Sequence, residues 1–437
     1  MPNLCHRQGS MTKVQESTLR KTLTVEPTVK KNLTVATSRI PWRPVIALLA
    51  GIVVMSVVVP SEAQLKHVPP AASSYMVLYS LKGAEPGGTD GSGANGLTRD
   101  AAGNLYVTTA YGFRFGCLGL ECGTIFKLTP TGTETLLFSN YGKDTPPPNA
   151  GLVLDAASNL YGTIAGHDCP FDWCGAAFKL DPTGTTFTDL HSFDGGADGG
   201  SPAAGLIRDG AGNLYGTTLV GGALGASCYG LGCGTVFRLS PSGTETTETV
   251  LYNFTGADGA GPSAELLRDS VGNLYGTTAQ GGHQSGACNL GNEGNGTCGV
   301  VFELIRCDSE PSGYEYKVLY RFTGGRDGGN PVSGLVRDAS GNLYGTTLLG
   351  GANSSVCIAF ESGVSPTCGV VFKLSPTGAL PTNTRLWSET VLHTFTGGWD
   401  GGNPLGPDLI QDLAGNLYGT AYLGGVYFAG VVFRLAP

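Results

Sequence analysis

The sequence predicts an all-β protein, a six-bladed β-propeller of four-stranded antiparallel blades behind an export segment. Three observations predict it. One short motif recurs six times, four β-type runs accompany the copies, and the run missing from the last copy stands orphaned ahead of the first. A chain of 437 residues is long for one domain, but propellers reach this size as a single unit. Hydrophobic residues make up 41%, which excludes a disordered class. Charged residues are only 14% against 70 glycines, a composition suited to short strands and tight turns rather than exposed helices. The net charge of −8 leaves no basic footprint and argues against nucleic acid as a partner.

The first 75 residues have another character. The opening segment is polar, with Lys13, Arg20, Lys21, Lys30, Lys31 and Arg39, and shows neither turn chemistry nor strand alternation. Arg43, an apolar run from Val45 to Val59 and Pro60-Ser61-Glu62-Ala63 follow. This order reads as a signal peptide over 1–63 with a long n-region, cleaved after Ala63. A retained membrane anchor is the rival, but the run is shorter than the roughly 20 residues a spanning helix needs. Residues 64–75 read as a linker and 76–437 as the propeller.

Within the propeller, Asn-Leu-Tyr begins at Asn104, Asn159, Asn213, Asn273, Asn342 and Asn416. An apolar run ending in Asp precedes each copy, as in Gly205-Leu206-Ile207-Arg208-Asp209. After a variable insert comes a run centred on Phe126, Phe178, Phe237, Phe302, Phe372 or Phe433. A fourth run of the form Val-Leu-Tyr-x-Phe lies at 77–81, 136–140, 189–193, 250–254, 318–322 and 391–395, loosely in the second copy. Asp-x-x-Gly-Asn makes the first link, with Asp capping the turn and Gly supplying positive φ. Ser-Pro-Thr-Gly-like turns make the third. A single such sheet cannot bury both faces, and radial packing of equivalent sheets solves this. The chain ends at the third run, Val431-Val432-Phe433-Arg434-Leu435, so Val77-Leu78-Tyr79-Ser80-Leu81 is expected to complete the last blade and close the ring without an open edge.

Ten of the twelve cysteines fall in pairs within the second link: Cys117/Cys122, Cys169/Cys174, Cys228/Cys233, Cys288/Cys298 and Cys357/Cys368. One pair per long insert predicts five local disulfides and an oxidising compartment. Zinc is the rival for such spacing, but no second Cys pair or His pair repeats alongside. Cys5 leaves with the signal segment, so Cys307 is expected to be an unpaired thiol.

An up-and-down blade puts links one and three on one side and link two with the blade-to-blade crossing on the other. The first side carries uniform turns. The second carries the variable inserts and is the candidate binding face. Its crossings contribute Asp90, Asp144, Asp198, Asp258, Asp327 and Asp400, and its inserts His167 and His283. Six carboxylates could hold a cation or meet sugar hydroxyls, while the plainer expectation is that each caps its own Gly turn. Arg99, Arg208, Arg268 and Arg337, before the turn Asp, read as interblade ion pairs or hydrogen bonds. His191 and His393 replace the Tyr of the fourth run and read as packing variants. No Gly-x-Ser-x-Gly elbow, His-Glu-x-x-His or phosphate loop occurs, so no catalytic residue, metal or other cofactor is assigned.

The repeat body, Leu-x-x-Asp-x-x-Gly-Asn-Leu-Tyr-Gly-Thr-Thr, then Gly-Gly, then Gly-Thr-Val-Phe-Lys-Leu-Ser-Pro-x-Gly, resembles the GloVer tandem-repeat family of exported bacterial proteins from about residue 77 onward. The resemblance implies a cell-exterior repeat protein and brings no established activity. The shorter Asp-x-x-Gly-Asn-Leu-Tyr signature is similar to NHL-type and gluconolactonase-like propellers. The expected function is a secreted, monomeric binding or scaffold module, without a stable membrane span, that presents its insert face to a glycan, envelope polymer or protein. The alternative is a lactonase-, lyase- or glycosidase-like propeller with a divalent ion at the mouth, for which Asp168, His167 and Glu293 are the irregular polar candidates.

Overall fold

A computed structural model describes residues 92–111, 123–139, 148, 150–166, 174–222, 228, 230–243, 245–282, 298–351, 357, 367–377, 386–404, 409–425 and 430–436. These residues form six antiparallel sheets in a six-bladed β-propeller, with no helix among them. Blade one is β1 (Ser92–Arg99), β2 (Leu105–Tyr111), β3 (Thr124–Leu128) and β4 (Glu134–Ser139). Blade two is β5 (Val153–Leu154), β6 (Leu160–Ala165), β7 (Gly175–Leu180) and β8 (Phe187–Phe193). Blade three is β9 (Ile207–Arg208), β10 (Leu214–Thr218), β11 (Thr235–Ser242) and β12 (Glu245–Asn253). Blade four is β13 (Leu267–Arg268), β14 (Leu274–Thr278), β15 (Val300–Arg306) and β16 (Tyr314–Arg321). Blade five is β17 (Val336–Arg337), β18 (Leu343–Thr347), β19 (Val370–Thr377) and β20 (Leu386–Thr394). Blade six shows β21 (Ile410–Gln411), β22 (Leu417–Ala421) and β23 (Val431–Leu435) among the described residues. Within each sheet the strands pair in chain order, a meander. The signal peptide, the linker and the closing strand expected at 77–81 lie outside the described residues.

The Asp-x-x-Gly-Asn signature folds alike in every blade. In blade three, Oδ1 of Asp209 accepts from the amides of Ala211 and Asn213, and Oδ2 from Asn213 Nδ2 and the Tyr215 hydroxyl. Asp, Asn and Tyr therefore recur together because one carboxylate satisfies the whole hairpin. Burial raises the Asp209 carboxyl, but the hydrogen bonds from Asn213 and Tyr215 outweigh it and hold it below its ordinary range. The turn needs a left-handed residue. Gly212 supplies it with φ 91°, and blade two manages with Ser158 at φ 62°.

Between blades the second, third and fourth strands pack together. Tyr215, Val236 and Leu251 of blade three meet Leu274, Phe302 and Leu304 of blade four in one buried cluster. Equivalent clusters join blades one and two, two and three, four and five, and five and six. Alternation explains this, because Val236 faces forward to the next blade and Phe237 backward. Burying one such side chain contributes roughly 1.5–3 kcal/mol. Blade six breaks the pattern. Val432 is 82% exposed, although its counterparts Ile125, Ala177, Val236, Val301 and Val371 are all at 0%.

Where strand three meets strand four, blades one to five share a further irregularity. The register shifts at Ile125/Phe126, Ala177/Phe178, Val236/Phe237, Val301/Phe302 and Val371/Phe372. Phe237 opposes Val250 and Val236 opposes Tyr252, leaving Leu251 as the extra residue of a bulge. Leu251 and Tyr252, adjacent in sequence, both reach the cluster shared with blade four.

The cysteines are corrected at one position. Cys228–Cys233 and Cys357–Cys368 close as local disulfides. Cys174 and Cys298 are also disulfide-bonded, and Cys117, Cys122, Cys169 and Cys288 lie outside the described residues. Cys307, expected as an unpaired thiol, is buried and disulfide-bonded. Its sulfur lies 3.2 Å from Ser309 Oγ. The expectation rested on counting Cys5 as lost and the ten insert cysteines as paired among themselves. A buried sulfur already bonded to another has no thiol to titrate or oxidise.

Candidate functional site

The crossing loops begin where strand four ends. Four of the six predicted crossing carboxylates are described, and each is held inside its own loop. Asp258 accepts from the Tyr252 hydroxyl at 2.6 Å and the Thr255 amide at 2.8 Å. Asp327 accepts from the Tyr320 hydroxyl at 3.1 Å, the Thr323 amide at 2.8 Å and Thr323 Oγ1 at 2.5 Å. Asp400 accepts from the amide and hydroxyl of Thr396 and pairs with His393 Nε2 at 3.2 Å. Asp198 pairs with His191 Nε2 at 3.1 Å. Each carboxylate thus caps its glycine turn, as the plainer expectation had it, and stays beside strand four, at the sheet edge opposite strand one. Asp90, Asp144, His167 and His283 lie outside the described residues, as do Asp168 and Glu293.

His191 and His393 replace Tyr in both of that residue's tasks. Their rings pack edge-on against Phe193 and Phe395, at 4.6 and 4.9 Å between centroids, while Nε2 meets the crossing carboxylate. Burial raises the Asp198 carboxyl, yet hydrogen bonds with His191 and the Asp194 amide bring it below its ordinary range. Burial and the neighbouring Asp258 push the Tyr252 hydroxyl far up, so it stays protonated and donating. Two of the four arginines bridge blades through rings: Arg208 lies 5.9 Å over the Tyr161 ring and Arg337 6.0 Å over Tyr275.

Among the described residues, two exposed aromatics share this face, and neither was singled out from the sequence. Trp399, in the crossing from blade five to six, is 80% exposed, and Tyr422, at the start of blade six's insert, is 62% exposed. Their segments are stitched together. Gly402 bridges Leu423, the Tyr422 amide donates to Asn403 O at 3.2 Å, and the Gly425 amide to Gly398 O at 2.9 Å. Elsewhere these positions hold Ala197, Ala257 or Arg326 in the crossing and Leu219, Ala279 or Leu348 in the insert. Aligning the repeats column by column would have exposed both departures. Away from the crossings, a cleft of about 210 Å³ separates β8 from β12, lined by Thr188, Asp189, Leu190, Glu245 and Thr246.

Comparison with known proteins follows the repeats. A family model described as the Gloeobacter/Verrucomicrobia repeat matches residues 65–286, 173–358 and 291–437. The chain belongs to this family. No curated protein matches the chain. Among solved structures, this Gloeobacter/Verrucomicrobia repeat protein is similar to a gluconolactonase from Xanthomonas campestris at 14% identity, over 80% of this chain and 88% of that one, with a TM-score of 0.40. A putative 6-phosphogluconolactonase from Bacteroides uniformis is similar at 12% identity, over 77% and 82%, with a TM-score of 0.44. A luciferin-regenerating enzyme is similar at 15% identity, over 80% and 92%, with a TM-score of 0.41.

Proposed function

We propose that this repeat protein is an exported, extracellular binding module whose crossing-and-insert face takes a glycan of the cell envelope or its surroundings. The observation that carries the reading is Trp399, an 80% exposed indole on the face that also bears the disulfide-braced inserts. An indole held out in water by a rigid loop exposes a negative ring face, which suits the C–H-lined side of a sugar ring. Tyr422 offers a second ring from the adjoining segment. Rigid blades beneath reduce the ordering cost of binding. The local disulfides, which persist outside the reducing cytosol, support the compartment.

A glycan array followed by affinity electrophoresis in bacterial and plant polysaccharides tests the reading. Retardation by at least one polysaccharide is expected, with Trp399→Ala weakening it about tenfold or more, the scale of a central aromatic contact. Absence of any retained glycan on the array and in every gel overturns it.

A further inference from the structure

One position on strand four holds Glu, Tyr and Glu at three successive joints between blades. Between blades three and four it is Tyr316, stacked on Tyr252 at 3.8 Å between centroids and donating its hydroxyl to Asp258 O at 2.7 Å. Between blades two and three it is Glu248, which feels both the His191 imidazole and the Asp198 carboxylate. Between blades four and five it is Glu389, whose charged neighbour is Asp327. Glu248 and Glu389 each bury one carboxylate oxygen without a hydrogen-bond partner. An ionised carboxylate in that state is costly, and Glu389 has no imidazole alongside to offset it.

The groups around Glu389 can be named element by element. Asp327 comes from the crossing of blade four, beside the Tyr320 hydroxyl that donates to it. Lys317 of β16 shares the face of Leu319 and is the register partner of Glu303, which itself accepts from Tyr275. On blade five, Leu374 is opposite Glu389, Lys373 sits 5.6 Å over the Tyr344 ring and His393 is paired with Asp400. Asp327 is the charge that acts on Glu389, and it repels.

We propose that Glu389 is a proton-operated latch between blades four and five: protonated, it lies neutral in the joint, and ionised, it is driven from Asp327 and loosens the rim there. The neighbouring joint, built on Tyr316, has no such switch. Burial, reinforced by Asp327, pushes the Glu389 carboxyl from its ordinary 4.5 up to about 7. A folded value above the unfolded one means that the stabilisation is complete below the unfolded value and is lost as pH rises through the folded one.

The test follows thermal unfolding and hydrogen exchange of the full chain between about pH 4 and about pH 8. Wild-type protein is expected to lose a few degrees of melting temperature across this window. Amide protection should fall in β20 relative to β12, with a midpoint near the Glu389 value. Glu389→Gln should flatten that slope, and Asp327→Asn should move the Glu389 carboxyl titration, read by carbon NMR, to lower pH. A wild-type slope retained in Glu389→Gln overturns the latch. Should that variant fail to fold, the wild-type carboxyl titration decides, and a Glu389 titrating in the ordinary carboxylate range overturns it equally.

Discussion

Val371 and Val432 hold the same place in consecutive repeats and meet opposite surroundings. Val371 is fully buried against Leu409, Leu417 and Phe433 of blade six, while Val432 is 82% exposed. The local sequences, Val370-Val371-Phe372-Lys373-Leu374 and Val431-Val432-Phe433-Arg434-Leu435, are nearly the same. The difference shows that a repeat encodes half an interface. The forward face of each blade is stabilised only where the back face of another covers it, so burial in such a molecule belongs to the pair rather than the residue.

The largest effect expected from this contrast is Val371→Asp. An unpaired charge placed in the five–six cluster should cost about 4 kcal/mol or more, seen as loss of a single cooperative melt. Asp338→Ala comes next. It removes the acceptor for the Asn342 amide, Asn342 Nδ2 and the Tyr344 hydroxyl, and should cost about 1–3 kcal/mol by denaturant titration. Its blade-six equivalent, Asp412→Ala, loses the same three partners and should lower the melting temperature too. Equal falls would show that turns are private to each blade although interfaces are shared. Replacing both Cys228 and Cys233 by Ser removes a short loop closure, worth about 2 kcal/mol or less, and should leave the melt cooperative. Smallest of all is Val432→Asp, expected to move stability within about 0.5 kcal/mol. A loss matching that of Val371→Asp would mean that Val432 is covered in solution, and would erase the contrast.

Acid sharpens the same picture from the opposite direction to Glu389. The turn carboxylates of Asp155, Asp209 and Asp338 are held below their ordinary range, so the stability they add is present above the unfolded value. It should be lost as pH falls through the folded one. Circular dichroism on acid titration is expected to show the blades persisting well below the ordinary carboxylate range.

Much of this was legible in the sequence because the signals repeat. Asn-Leu-Tyr marks every second strand, and the spacing of Asp, Gly and Asn specifies the first hairpin. The capping role of the crossing carboxylates followed from their repetition, and the described four behave so. Other features have no local signature. The bulge between strands three and four depends on pairing between segments, and nothing at Val236 or Leu251 announces it. The partner of Cys307 is a matter of three-dimensional proximity, so parity along the chain misjudged it. Trp399 has no signature in the repeat, because its column holds Ala197, Ala257 or Arg326 in the other copies.

The recurring bulge has a mechanical consequence. In a regular strand, neighbours point to opposite sides and a blade would touch the next along a single line of alternate residues. With the bulge, Leu251 and Tyr252 engage blade four together, the second through a ring stacked flat on Tyr316. Two successive contacts along this outermost strand resist torsion where one would act as a hinge. The disc is therefore stiffened against splaying at the rim, where the lever arm is longest.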